Sequence, residues 1–110
     1  MQVRSVSKYV RSSPYKCRLV VNQIRSLPVE QARDILAYST RKAASLVLKT
    51  LDSAIANAEV NNNANIDELY VQAAFVDEAP VLKRWRARAR GRVNRIHKRN
   101  SHITVIVSDE

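Results

Sequence analysis

Apolar positions recur at helical spacing through the first half of the chain and at strand spacing near its end. After Ser12-Ser13-Pro14, a serine cap followed by a first-turn proline, the residues Cys17, Val20, Val21 and Ile24 form one apolar stripe. Arg18, Asn22 and Arg25 fall on a different face. Leu27-Pro28 interrupts the pattern, because proline disfavours helix in the residue before it. A second, short helix is predicted over "PVEQARDILAYS", with Val29, Ala32, Ile35 and Leu36 inward. The most regular run is Ala44, Val47, Leu48, Leu51, Ala54, Ile55 and Ala58, which fits i, i+3, i+4, i+7 over about four turns. It predicts a third helix, capped by Ser39 or Thr40, that runs to about Val60 and ends in the turn-rich "NNNAN".

The period then changes. "ELYVQAAFVD" is rich in β-formers and puts Leu69, Val71, Ala73 and Phe75 on one face. "HITVIVS" alternates Ile103, Val105 and Val107 against Thr104, Ile106 and Ser108. "QVRSVSKYV" at residues 2–10 is a weaker strand candidate. The order reads β-ααα-ββ. This is an α+β fold in which a three-helix layer packs on a small antiparallel sheet and the last two strands pair. At 110 residues, 45% of them apolar, the chain is expected to form a single domain, 1–110, with a real core.

Charge adds what periodicity does not show. The net charge is +9, but it is not spread evenly. Residues 1–25 hold six basic side chains and no acid, residues 26–82 hold four basic and eight acidic, and residues 83–99 hold nine basic and no acid. A nearly neutral body with two basic poles implies a polyanionic partner, nucleic acid first and an anionic membrane second. No run of eighteen apolar residues offers a membrane span. The start of the chain lacks the apolar middle of a signal peptide, and the lone Cys17 has no internal disulfide partner. A reducing, cytoplasmic setting with no membrane-spanning segment is therefore expected.

The second pole, "KRWRARARGRVNRIHKR", lies between two strand candidates. Hairpin loops usually have about two to five residues, so seventeen residues, 83–99, are a large excess. Three features favour a hairpin that continues outward. Gly91, the one glycine of the chain, sits near the middle, where a turn needs positive φ. Arg86, Arg88, Arg90 and Arg92 alternate with Ala87, Ala89 and Gly91, which in a strand lines the arginines along one side. Trp85, Val93 and Ile96 add β propensity. An arm of about eight residues reaches roughly 26 Å at about 3.3 Å each. A two-stranded ribbon is marginal alone in water, and folded RNA would supply phosphates for the guanidinium groups and bases for stacking. A solvated charge run and a disordered arm that orders on RNA are the competing readings.

Other residues point to no chemistry. His97 and His102 lack the partners of a four-ligand metal site, and Cys17 lies on the apolar stripe. Asp52 and Glu59, on one helix, read as solvated. Trp85 could stack on a base or close the foot of the ribbon. There is no Gly-rich phosphate loop, nucleophile elbow or defensible Ser/His/Asp set, so no catalytic residue, metal or cofactor is assigned. A small DNA-architectural protein with a basic ribbon is the alternative from another class.

Four stretches together carry a family resemblance: "RSSPYKCRLVVNQIR" at 11–25, "RKAASLVLKTLDSAIANAE" at 41–59, "FVDEAP" at 75–80 and "RARGRVNRIHKRNSHITVIVSD" at 88–109. In this order they resemble large-subunit ribosomal protein twenty-two in its bacterial form. The resemblance implies a structural constituent of the large ribosomal subunit that binds its 23S-type rRNA, touches neighbouring ribosomal proteins, is a monomer within the ribosome and supports early assembly. It also implies an extended hairpin along the nascent-peptide exit tunnel, with residues Arg88, Ala89, Arg90, Gly91 and Arg92 at the tip, facing the nascent peptide. The implied rRNA-binding residues are Arg11, Lys16, Arg18 and Arg25 in the first helix region. In the hairpin they are Lys83, Arg84, Arg88, Arg90, Arg92, Arg95, Lys98 and Arg99, to which the charge pattern adds Arg86. Two places depart from the family: Ser26-Leu27-Pro28 stands where a glycine and a basic residue are expected, and Trp85-Arg86 makes the outgoing arm bulkier.

Overall fold

The protein, seen in a computed structural model, is described over residues 2–79, 82–87, 93–98 and 100–109. The elements run β1 (Gln2–Val10), α1 (Pro14–Val21), α2 (Val29–Tyr38), α3 (Lys42–Asn62), a 3₁₀ turn at Ile66–Glu68, β2 (Tyr70–Glu78), β3 (Leu82–Ala87), β4 (Val93–Lys98) and β5 (Ser101–Ser108). Three antiparallel strands form a sheet in the order β1-β5-β2, and β3 pairs with β4 in a ladder of their own. The three helices pack on one face of the larger sheet, as the α+β reading expected. The strand candidate at residues 2–10 is a full strand and lies beside β5.

Local chemistry sets the helix ends. Ser13 caps α1, its Oγ accepting from the Lys16 amide at 3.4 Å, and Pro14 opens the first turn. Cys17, Val20, Val21 and Ile24 are fully buried, as the stripe requires. The cap of α3 differs from expectation. Arg41 holds the cap position without a side-chain bond, while Ser39 closes α2 and its Oγ accepts from the Arg41 amide. Asn63 ends α3 at φ 51°, the left-handed backbone that asparagine tolerates. All the predicted apolar positions of α3 except Leu48, which is half-buried, are buried. Each large side chain in this core, such as Ile24, Leu51 or Ile103, contributes roughly 1.5–3 kcal/mol.

Two bulges determine which residues face the helices. In β2 the register moves from Val71↔Val107 to Ala73↔Ile106, so Gln72 is the extra residue. The face therefore flips, and Leu69, Val71, Ala74 and Val76 are buried rather than Leu69, Val71, Ala73 and Phe75. A strict two-residue period could not foresee this slip. In β1 the register shifts between Ser7 and Val10, and Tyr9 adopts φ 58° within the bulge. Its amide, turned out of the ladder, donates to Nδ1 of His102 at 3.1 Å, and the two rings meet edge to face at 4.8 Å.

β2 is an edge strand, and several of its outward backbone groups, mostly carbonyls, are occupied. The Ser26 amide donates to Val71 O, the Val71 amide to Leu27 O, and the Val29 amide to Leu69 O. Beyond the bulge, Nε of Arg25 donates to Ala74 O at 2.8 Å and a terminal nitrogen of Arg18 to Val76 O at 3.1 Å. Much of an edge that would otherwise invite pairing is thus covered by the amides of Ser26 and Val29, the carbonyl of Leu27 and two arginines. Ser26 itself sits at φ 67°. That is why a glycine suits this position, and why serine here carries a conformational penalty.

Candidate nucleic-acid interface

The fold joins the two basic poles, which lie far apart in the chain. Val10 at the end of β1 pairs with Ser101 at the start of β5. Ser101, fully buried, donates its Oγ to the carbonyl of Ser12 at 2.6 Å. Ser12 immediately precedes the cap of α1, and Ser101 follows the basic stretch by one residue. The amide of Ala79 donates to Asn100 O at 3.1 Å on the other side of this junction. The foot of the ribbon is therefore tied to the start of α1 by a short, part-buried hydrogen bond, which resists separation more than an exposed one.

The ribbon continues the β2–β5 ladder without joining it. β3 and β4 are in register from Leu82↔Lys98 through Lys83↔His97, Arg84↔Ile96, Trp85↔Arg95 and Arg86↔Asn94 to Ala87↔Val93. Trp85 stands opposite a basic residue, Arg95. The Cα radius of gyration, 17.0 Å, exceeds the roughly 13 Å of a compact body of this length.

Arg11, Lys16, Arg18 and Arg25 are all exposed around α1. Arg18 and Arg25 each direct one guanidinium nitrogen to β2, which leaves their other N–H groups as donors. Lys83, Arg84 and Arg86 lie on β3, and Arg95 and Lys98 on β4, all by backbone position. Arg88, Ala89, Arg90, Gly91, Arg92 and Arg99 lie outside the described residues, and with them the turn assigned to Gly91. Asp77 and Glu78 stand across β5 from His102 and Ser101, so the junction is basic on the α1 side and mixed on the β2 side.

Asp52, read as solvated, is about half exposed and forms a surface pair with Nε of Arg33 at 3.0 Å. Such a pair contributes at most about 1 kcal/mol. Among the described residues no group of three His, Cys, Asp or Glu is arranged to hold a metal ion. The sequence reading passed over Arg41 and Lys42, which line the same cavity as Arg11 and Lys16. One signal was available: both belong to the acid-free run 35–51 and open the most regular helix. Among the described residues the arrangement is a cationic surface suited to holding phosphates. A protein-family model described as Ribosomal protein L22p/L17e matches residues 5–108 of the chain.

Proposed function

The chain belongs to the ribosomal protein L22p/L17e family, whose members are structural constituents of the large ribosomal subunit in the cytoplasm and bind its rRNA, and from that premise we propose how this chain takes hold of the RNA. It acts as one domain, residues 1–110, present as a monomer in a bacterial-type particle. The body docks through Arg11 and Lys16 and through the remaining donors of Arg18 and Arg25. The ribbon passes between RNA segments, with Lys83, Arg84, Arg86, Arg88, Arg90, Arg92, Arg95, Lys98 and Arg99 neutralising phosphates that would otherwise repel one another. By drawing those segments together it supports early subunit assembly. Residues 88–92, which join β3 to β4 in the sequence, line the nascent-peptide exit tunnel and meet the emerging peptide.

The observation that carries this reading is the bond from Ser101 to Ser12, because it makes two acid-free basic segments one continuous footprint. Groups near the rigid body lose less entropy on binding than those on the ribbon, so the foot contributes more affinity per charge than the tip. Ribosomes carrying the protein with residues 87–93 deleted test the division of labour. Large-subunit yield should stay near normal, while stalling on tunnel-sensitive nascent chains changes. Collapsed yield with normal translation by the few assembled particles would make the tip an assembly clamp instead. Competition between rRNA and duplex DNA, with rRNA retained, separates this function from DNA architecture.

A further inference from the structure

Arg11, Ser12, Ser13, Tyr15, Lys16, Leu19, Arg41, Lys42 and Ala43 enclose a cavity of about 430 Å³ between the starts of α1 and α3, and we infer that it is a nucleotide-sized pocket for single-stranded rRNA, one that takes a backbone phosphate among its four cations and a base against Tyr15. This rests on the rRNA-binding reading above and assigns it a site. The volume lies within the roughly 300–1,000 Å³ of sites that engulf small ligands.

Four positive side chains converge there from two separate segments, and no acidic residue lines the cavity. Nor can one approach from nearby in the chain, since residues 1–29 and 35–51 contain no Asp or Glu. None of the four is ion-paired with a described carboxylate; the Arg33–Asp52 bridge lies elsewhere. Four like charges lining one cavity with no acid among them raise the local potential and attract an anion. The hydroxyls of Ser12 and Ser13 and the uncapped first turn of α3 add donors. They would not make a site without the four side chains. Tyr15, 70% exposed at the mouth, offers a ring with nothing stacked on it among the described residues. A base beside a bound phosphate has a π-face for it. Single-stranded RNA fits better than a duplex, whose bases are not free to turn onto a ring.

The test is binding of the full chain to full-length large-subunit rRNA over a range of salt. Four proteins are compared: wild type, R41Q/K42Q, Y15A and the charge-matched control R33Q/K49Q. All the changes are at surface positions, and circular dichroism confirms the folds. R41Q/K42Q should bind about tenfold more weakly or worse and flatten the slope of log K against log salt by about 0.7, the share of one single-strand phosphate. Y15A should bind roughly tenfold more weakly with the slope unchanged, since stacking releases no counterions. R33Q/K49Q should move affinity by no more than about twofold. If wild type binds and R41Q/K42Q matches the control, the phosphate pocket is wrong while the rRNA reading stands. If Y15A matches wild type, the base is not held there. If wild type itself fails to bind rRNA, the functional reading falls and takes the pocket with it.

Discussion

The two basic regions of this molecule are built on opposite principles. Around α1 the charges ride on a helix whose other face is sealed: Cys17, Val20, Val21 and Ile24 are fully buried against the sheet and its neighbours. Two of those arginines also serve the fold, closing the edge of β2 through the carbonyls of Ala74 and Val76. The ribbon has neither advantage. Its two strands pair only with each other and join no strand of the larger sheet, and such a ladder is marginal in water unaided. The body thus offers a preformed cationic surface, whereas the ribbon, on the function proposed above, gains its stability from the RNA it binds. Charge density alone does not distinguish the two; what lies beneath the charges does.

The largest expected effect strikes the ribbon. Replacing Arg84, Arg88, Arg92 and Arg95 by Gln should weaken rRNA binding at least about 100-fold and flatten the salt slope by about three. The thermal midpoint of the free protein should hardly move. An unchanged slope would transfer the binding to the α1 region. Next is the platform. Leu51→Ala, at a fully buried position of α3, should cost about 2–5 kcal/mol in urea unfolding. It should leave rRNA affinity intact wherever the body remains folded. If affinity fell in step with stability while the protein was still folded, the surface would not be preformed.

Smaller changes sharpen the contrast within α1 itself. Arg25→Ala removes the donor to Ala74 O and should destabilise by about 1 kcal/mol. Lys16→Ala should stay within about 0.5 kcal/mol of wild type while lowering the salt slope by about one. Equal stability losses would mean that Arg25 does not guard the edge. The smallest change is Ser26→Gly, which relieves a left-handed backbone at φ 67°. It should raise stability by about 0.5–1 kcal/mol, a shift of a few degrees in midpoint for a domain of this size. A lower midpoint would show that the serine makes a contribution of its own.

What was legible in the sequence followed from short-range rules. The stripe of α1, the Ser13-Pro14 start, the apolar face of α3 and the inward row Ile103, Val105 and Val107 of β5 depend on spacing and caps, and the fold kept them, although Thr104 and Ser108 on the other face of this central strand are buried too. What was not legible depended on pairing at long range. The bulge at Gln72 arises from how β2 meets β5, so Ala73 and Phe75 could not be told from Ala74 and Val76 by period alone. The positive φ at Ser26 was visible only as a departure from family expectation. Likewise, nothing in residues 11–25 reveals that Arg18 and Arg25 face β2 carbonyls, or that Arg41 and Lys42 meet Arg11 and Lys16 across a cavity. The basic residues themselves were evident, but the fold divides them into those that also brace the body and those left for a partner.

Amide hydrogen exchange of the protein, free and bound to large-subunit rRNA, tests the contrast most directly. In the free protein the amides of residues 43–58 and 102–107 should exchange through global unfolding only, while those of β3 and β4 exchange orders of magnitude faster. On binding, the β3 and β4 amides should gain at least about 100-fold in protection, and the core amides should rise only with overall stability. Strong protection of β3 and β4 in the free protein would contradict the account, because the ribbon would then stand without its RNA.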